Sequence, residues 1–189
     1  MEDTALNYLQ HTFGYSEFRL QQGEIIKTLN NGNDAVVLMP TGGGKSLCYQ
    51  IPSLCRDGTG IIISPLIALM HDQVIALQQL GIKAAFLNST LDADTSRQTE
   101  ADLINGDLDM LYVAPERLNT SGFIQLLRQT SISLFAIDEA HCVSQWGHDF
   151  RQEYRNLKNI ISRIGNDIPI IGLTATATPK VQEDIIKNL

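Results

Sequence analysis

Two short blocks of this 189-residue chain carry residues that can do chemistry: Pro40-Thr41-Gly42-Gly43-Gly44-Lys45-Ser46 and Ile137-Asp138-Glu139-Ala140-His141. Three consecutive glycines let the backbone curl until successive N–H groups point inward, a geometry that cradles phosphate oxygens. Lys45 is placed to reach the β- and γ-phosphates and Ser46 to hold Mg²⁺. The general phosphate-loop pattern has glycine at position 39, where this chain has Met39. A glycine-rich turn between a strand and a helix would need no lysine or serine there.

In the second block Asp138 suits the Mg²⁺ shell and Glu139 suits orienting or deprotonating an attacking water. An Asp-Glu pair after a strand can be no more than a solvated helix start. Together with the cradle it points to hydrolysis of a nucleoside triphosphate. A small-molecule kinase of the same loop class takes its nucleophile from its substrate and needs no Glu139.

The elements that must hold these blocks follow from the apolar pattern. Short apolar runs occur at 35–39, 60–64, 84–87, 110–114, 133–137 and 169–173, and suit strands buried on both faces. Amphipathic stretches lie between them. In 66–80, Leu66, Leu69, Met70, Val74, Leu77 and Leu80 are expected on one helix face. Leu47 onward can begin a helix whose N-terminus adds partial positive charge at the cradle. Alternating strands and helices imply an α/β fold with a mostly parallel, doubly wound sheet and helices on both faces. Ligands of such sheets bind beyond the carboxyl ends of the strands, so Lys45 and Asp138 are expected on one sheet edge. Thr178 and Pro179 read as the cap and first turn of a last helix reaching Leu189, a boundary that reads as cut within a longer protein.

Composition sets limits. Apolar residues make up 43% of the chain and its net charge is −7. No apolar run approaches the roughly 18 residues of a membrane span, so no membrane partner is expected. Cys48, Cys55 and Cys142 have neither zinc nor disulfide spacing, which suits a reducing compartment. The negative charge opposes nucleic-acid binding by global electrostatics, so any such surface must be local or completed elsewhere.

Further blocks carry a resemblance. Phe13-Gly14-Tyr15-Ser16-Glu17-Phe18-Arg19-Leu20-Gln21-Gln22 comes first, and Ser64-Pro65-Leu66-Ile67-Ala68-Leu69-Met70-His71-Asp72-Gln73 follows the phosphate loop. Tyr112-Val113-Ala114-Pro115-Glu116-Arg117-Leu118, the Asp-Glu-Ala-His box and Thr174-Ala175-Thr176-Ala177-Thr178 complete the order. Ser144-Gln145-Trp146-Gly147-His148-Asp149-Phe150-Arg151 is an aromatic-rich loop. From about Leu9 to its end the chain resembles the first RecA-like ATPase domain of RecQ-type superfamily 2 DNA helicases, which also lack glycine at the Met39 position. The resemblance implies a RecA-like P-loop domain over 1–189, ATP and Mg²⁺ as cofactors, and single-stranded or forked DNA as partner. It implies 3′→5′ unwinding in repair and recombination. It also implies a second RecA-like domain, with zinc-binding and winged-helix modules, outside these residues. The corresponding location is the bacterial cytoplasm at the nucleoid, or the nucleus of a eukaryote.

The resemblance assigns Tyr15, Arg19 and Gln22 to the adenine. Tyr15 has a face to stack, and the Gln22 amide can pair with both the N6-amino group and N7. Read without it, the aromatics at 13–18 are ordinary packing near a helix start. Thr41, Gly42, Gly43, Gly44, Lys45 and Ser46 bind phosphate and metal, and Asp138 holds the metal. Lys45, Asp138, Glu139 and His141 are the catalytic set. Trp146, His148, Phe150 and Arg151 are placed to meet DNA, because aromatics stack on unpaired bases of any sequence. Movement there could reposition Glu139 or His141. The hydroxyls of Thr174 and Thr176 can bridge Asp138 and Glu139 to that loop or to a partner domain, with a plain strand-to-helix turn as the competing reading. Arg117 either grips a DNA phosphate or is a solvated charge. A nucleotide-gated clamp that hydrolyses little, or an RNA-box remodelling subunit, is the rival reading, and the aromatic cluster at Trp146 argues against the latter. Gln22→Ala is expected to weaken ATP binding and shrink the preference for ATP over GTP in competition binding. Unchanged discrimination would remove Gln22 from the adenine contact.

Overall fold

A computed structural model describes residues 2–40 and 44–189. Helix α1 (Glu2–Asn7) runs into a π-helical turn (Tyr8–Thr12) and is followed by α2 (Gln22–Asn30), β1 (Ala35–Leu38) and α3 (Leu47–Cys55). Next come β2 (Thr59–Ile63), α4 (Ile67–Gln79), β3 (Ala84–Leu87), α5 (Ala93–Ile104) and β4 (Met110–Val113). A 3-10 turn (Pro115–Asn119), α6 (Ser121–Arg128) and β5 (Ile132–Ile137) lead to a second 3-10 turn (Ala140–Val143). Helices α7 (Gln152–Arg155) and α8 (Leu157–Ile164), β6 (Ile170–Thr174) and α9 (Pro179–Asn188) complete the chain.

The six strands lie in the order β1-β6-β5-β2-β4-β3, and each pairing among the described residues is parallel. All six apolar runs are strands, as the pattern predicts. Successive strand side chains point to opposite faces, so one sheet feeds two cores. Ile61, Ile63, Leu111, Val113, Phe135 and Ile137 pack with residues of α6, α8 and α9, including Leu127, Ile160 and Ile185. Ile62, Met110, Tyr112, Leu134 and Ala136 pack on the other face with Leu29 of α2, Tyr49 of α3, and Met70, Val74 and Leu77 of α4. Fully burying one such aliphatic or aromatic side chain contributes about 1.5–3 kcal/mol.

Two sequence expectations need adjustment. On α4 only Met70, Val74 and Leu77 of the six expected apolar residues are buried, whereas Leu66, Leu69 and Leu80 are exposed. The three buried positions recur at i, i+4 and i+7, the narrow stripe that meets the sheet. Leu66 and Leu80 flank the helix ends, and Leu69 lies one residue off the stripe. Position 39 does not call for glycine, because Met39 N–H donates to the Thr174 carbonyl at 3.1 Å and its side chain is buried in the second core. The strand pairing therefore runs one residue past β1 before the loop begins. At α9 the expectation holds: Thr178 Oγ1 accepts from Val181 N–H at 3.3 Å, with Pro179 in the first turn.

Helix α3 must lie close on β2 to aim the phosphate loop. Gly60 makes room, since a Cβ there would lie 2.7 Å from Ser53 Cβ. Gly60→Ala is expected to destabilise the domain by about 1–3 kcal/mol through overpacking, read from the shift of a urea unfolding midpoint at unchanged slope.

Candidate active site

Because the strands are parallel, the ends of β1, β6, β5, β2 and β4 share one edge. Lys45 follows β1, Thr174 closes β6, and Asp138 follows β5. Strand β6 separates β1 from β5, so Thr174 lies between the ends of the strands that precede Lys45 and Asp138. Lys45 Nζ lies 3.7 Å from Asp138 Oδ1 and 3.9 Å from Glu139 Oε1. The structure thus brings the three charged residues together. Thr41, Gly42 and Gly43 lie outside the described residues.

Asp138 is 7% exposed, and burial raises its carboxyl pKa. Lys45 opposes that rise and Glu139 adds to it. Two carboxylates facing one ammonium leave local negative charge, the donor set a divalent cation takes. Ser46 leads into α3, and its hydroxyl does not cap that helix. These residues fit a magnesium nucleotide.

Glu139 has left-handed φ and ψ of 54° and 45°, uncommon for a residue with a side chain. Its N–H donates to Asp138 Oδ1 at 3.0 Å, and Tyr154 Oη donates to the Asp138 carbonyl at 2.8 Å. The peptide joining the two carboxylates is held at both ends.

His141 has a defined role in this network. Thr174 has one hydroxyl proton, and Thr174 Oγ1 donates it to the Thr176 carbonyl at 3.0 Å. Thr174 Oγ1 then accepts from His141 Nδ1 at 2.9 Å, which leaves Nε2 as the unprotonated nitrogen of the neutral ring. Burial holds the His141 pKa below its usual value, reinforced by His148, whose ring stacks 4.5 Å away. Thr176 therefore enters through its backbone carbonyl and Thr174 through its hydroxyl.

The N-terminal block meets the phosphate loop directly. Gln22 is buried, accepts from Arg19 N–H at 2.9 Å and donates from Nε2 to the Gly44 carbonyl at 2.9 Å. Gly44 has φ of +77°, and a side chain there would collide with the Gln22 amide. Tyr15 and Arg19 are exposed. The Gln22 amide is already engaged through both its oxygen and its nitrogen.

The aromatic loop divides. Trp146 is 63% exposed, His148 is exposed and stacked on His141, and Phe150 is half-buried. Lys180 Nζ of α9 lies over the Trp146 ring, 3.4 Å from its centre. A cavity of about 280 Å³ opens between Trp146, His148, Thr176 and Thr178. Arg151 is drawn toward Asp149 at 3.5 Å. Arg117 is not a simple solvated charge: it pairs with Glu100 at 2.9 Å and lies over the Phe123 ring. His141, Cys142 and Asp149 could together hold a metal ion by proximity. Burial pushes the Cys142 thiol pKa up to about 12, which opposes thiolate ligation there.

Sequence reasoning missed the buried tyrosines. Tyr49 and Tyr112 share a 2.7 Å hydrogen bond between α3 and β4, and Tyr154 reaches Asp138. In sequence they read as ordinary core aromatics. No helix among the described residues is long and apolar enough to cross a membrane.

Comparison with known proteins agrees with this geometry. Residues 19–185 match the DEAD/DEAH box helicase family. The chain is 52% identical over 186 residues to the ATP-dependent DNA helicase RecQ of Haemophilus influenzae, covering 98% of this chain and 30% of that protein. Identity with RecQ of Bacillus subtilis is 48%, covering 98% of this chain and 32% of that protein. With the ATP-dependent helicase SGS1 of Saccharomyces cerevisiae it is 45%, over 99% of this chain and 14% of that protein. The chain therefore spans about a third or less of the length of these relatives. Among solved structures, the Mycobacterium smegmatis helicase Lhr bound to ssDNA and AMP-PNP superposes with a TM-score of 0.71 at 22% identity, covering 96% of this chain and 25% of that one. The yeast DEAD-box splicing factor Prp28 superposes with a TM-score of 0.72 at 18% identity, covering 97% of this chain and 46% of that one. At such identities these likenesses bear on the RecA-like fold alone. With Lys45 and the Asp-Glu-Ala-His box on one sheet edge and about half its residues shared with bacterial RecQ proteins, the chain belongs to the DEAD/DEAH box helicase family, on its RecQ-type branch.

Proposed function

We propose that this chain is the ATP-binding and hydrolysing lobe of a 3′→5′ DNA helicase acting in repair and recombination. It works with a second RecA-like lobe of the same protein, in the cytoplasm of a bacterium or the nucleus of a eukaryote. The observation that carries the reading is the convergence of the Asp138 and Glu139 carboxylates on Lys45 Nζ, each within 4 Å of it, at an edge where the loop of Trp146 begins. The relatives of Haemophilus influenzae and Bacillus subtilis, both ATP-dependent DNA helicases, support ATP use and DNA as substrate.

Tyr15, Arg19 and Gln22 select adenine, and the loop ending in Gly44 and Lys45 holds the phosphates. Asp138 and Ser46 would hold Mg²⁺, which when bound offsets charge on the phosphate oxygens. Glu139 orients the attacking water and accepts its proton. His141, neutral and bonded to Thr174, keeps that carboxylate next to the turn after β6. Trp146, His148 and Phe150 supply stacking surface for unpaired bases, and Arg151 and Arg117 supply charge once released from Asp149 and Glu100.

Glu139→Gln in the intact protein should bind ATP with Mg²⁺ yet hydrolyse it about 10²–10⁴-fold more slowly, the scale expected for a lost general base. Lys45→Ala should weaken nucleotide binding itself. Phosphate release and equilibrium binding separate the two, and near-normal turnover in Glu139→Gln would remove that residue from its role.

Residues 1–189 alone should bind nucleotide and fail to separate a DNA fork. Charge on the transferred phosphoryl group commonly needs an arginine from across a cleft, worth about 10³–10⁵ in rate. Arg117, Arg151 and Arg155 are each paired with a carboxylate of this chain. Robust unwinding by this chain as a monomer, in a fork assay, would overturn the two-lobe reading.

A further inference from the structure

The aromatic loop leaves the 140–143 turn and returns into α7, and both of its ends are clamped to the segment after β5. Arg151 N–H donates to the Cys142 carbonyl at 3.0 Å, and Arg155 Nη1 donates to the Val143 carbonyl at 3.0 Å. These bonds hold the base of the loop. A third contact reaches further. Tyr154 is fully buried in the first core, and its hydroxyl donates to the Asp138 carbonyl at 2.8 Å. That carbonyl belongs to the peptide that joins Asp138 to Glu139.

The conformation of this peptide decides where the Glu139 carboxylate points. Glu139 has φ of 54°, a left-handed value that persists in a residue with a side chain only when its surroundings hold it. Two groups do so: Tyr154 Oη at the carbonyl and Asp138 Oδ1 at the N–H. Releasing the carbonyl lets Glu139 relax toward ordinary dihedrals. Its carboxylate would then leave Lys45, at 3.9 Å, and His141, at 3.5 Å.

We propose that Tyr154 is a positioning residue that couples the loop around Trp146 to the Glu139 carboxylate. The inference rests on the helicase reading above. Helix α7 directly continues the loop, so a displacement of the loop by stacked bases moves the hydroxyl that holds the Asp138 carbonyl. Coupling between two binding equilibria is reciprocal. Nucleotide bound at the Asp138–Glu139 end must therefore change the loop as well. A packing role alone would be met by phenylalanine, which fills the same space without the hydroxyl.

Trp146 is the only tryptophan of the chain, so its emission reports the loop. In the wild type, saturating ATP with Mg²⁺ is expected to change that emission. Tyr154→Phe is expected to melt cooperatively and bind the nucleotide with wild-type affinity by calorimetry. Its Trp146 response should fall by about fivefold or more, the lower end of ordinary couplings. Replacing Tyr154 with 4-aminophenylalanine restores a donor at the same place and should restore the response. Arg155→Gln, which loosens the loop base without touching Asp138, should keep it. A wild-type-sized response in Tyr154→Phe, or no rescue by the amino analogue, overturns the proposal. The helicase reading is tested separately with single-stranded DNA. A loop that answers to nucleotide and never to DNA contradicts that reading, while a response surviving in Tyr154→Phe removes only the tether.

Discussion

A buried carboxylate beside a second carboxylate has to be compensated, and in this domain one lysine does it. At 3.7 Å and an effective dielectric near 20, the attraction between Lys45 and Asp138 is about 4 kcal/mol before desolvation is charged against it. The desolvation is large enough that the Asp138 pKa is still raised. The arrangement is therefore electrostatically incomplete, and a bound cation would complete it. Sheet order follows from this demand. The cation comes from the end of β1 and the carboxylates from the end of β5. Placing β6 between them brings the Thr174 hydroxyl to His141 Nδ1 at 2.9 Å.

The same constraint explains why the backbone is unusual at Glu139. A regular helix start after β5 would carry consecutive side chains around the axis and send the two carboxylates in different directions. A single left-handed residue instead keeps both beside Lys45. Such a residue costs about 1–2 kcal/mol, comparable with the two hydrogen bonds that pin its peptide. Helix α7 is four residues long and could not persist alone in water. Its buried Tyr154 and its bonds to the 138–143 segment hold it in place, so its position is tied to the state of the active site.

The fold was largely legible in the sequence because buried parallel strands leave a plain trace. Six apolar runs became six strands, and Thr178-Pro179 became the start of α9. The phosphate loop and the Asp-Glu-Ala-His box were legible because each needs residue types in a fixed order. Partners joined only by folding were not. Tyr154 and Tyr112 are far from the residues they serve in any periodic pattern, and a buried tyrosine looks like packing until its hydroxyl finds an acceptor. The Gln22–Gly44 contact spans 22 positions, and local spacing carries no sign of it. Leu69 shows the reverse error: an apolar residue counted into a helix stripe that the sheet is too narrow to cover.

Three cations of the proposed DNA-facing surface are engaged within the chain, which bears on how an acidic domain would meet DNA. Arg117 is paired with Glu100, Arg151 is drawn to Asp149, and Lys180 lies over Trp146. A net charge of −7 gives the domain no long-range attraction for a polyanion. Yet the internal contacts are weak. Partly exposed ion pairs contribute about 0–1 kcal/mol, and an exposed cation–π contact about 0.5–1 kcal/mol. On the proposed reading a base stacked on Trp146 would be worth about 1–3 kcal/mol, enough to displace the Lys180 ammonium and leave that charge for a phosphate. The proposed grip on DNA would then be local, at the loop that follows the Glu139 carboxylate.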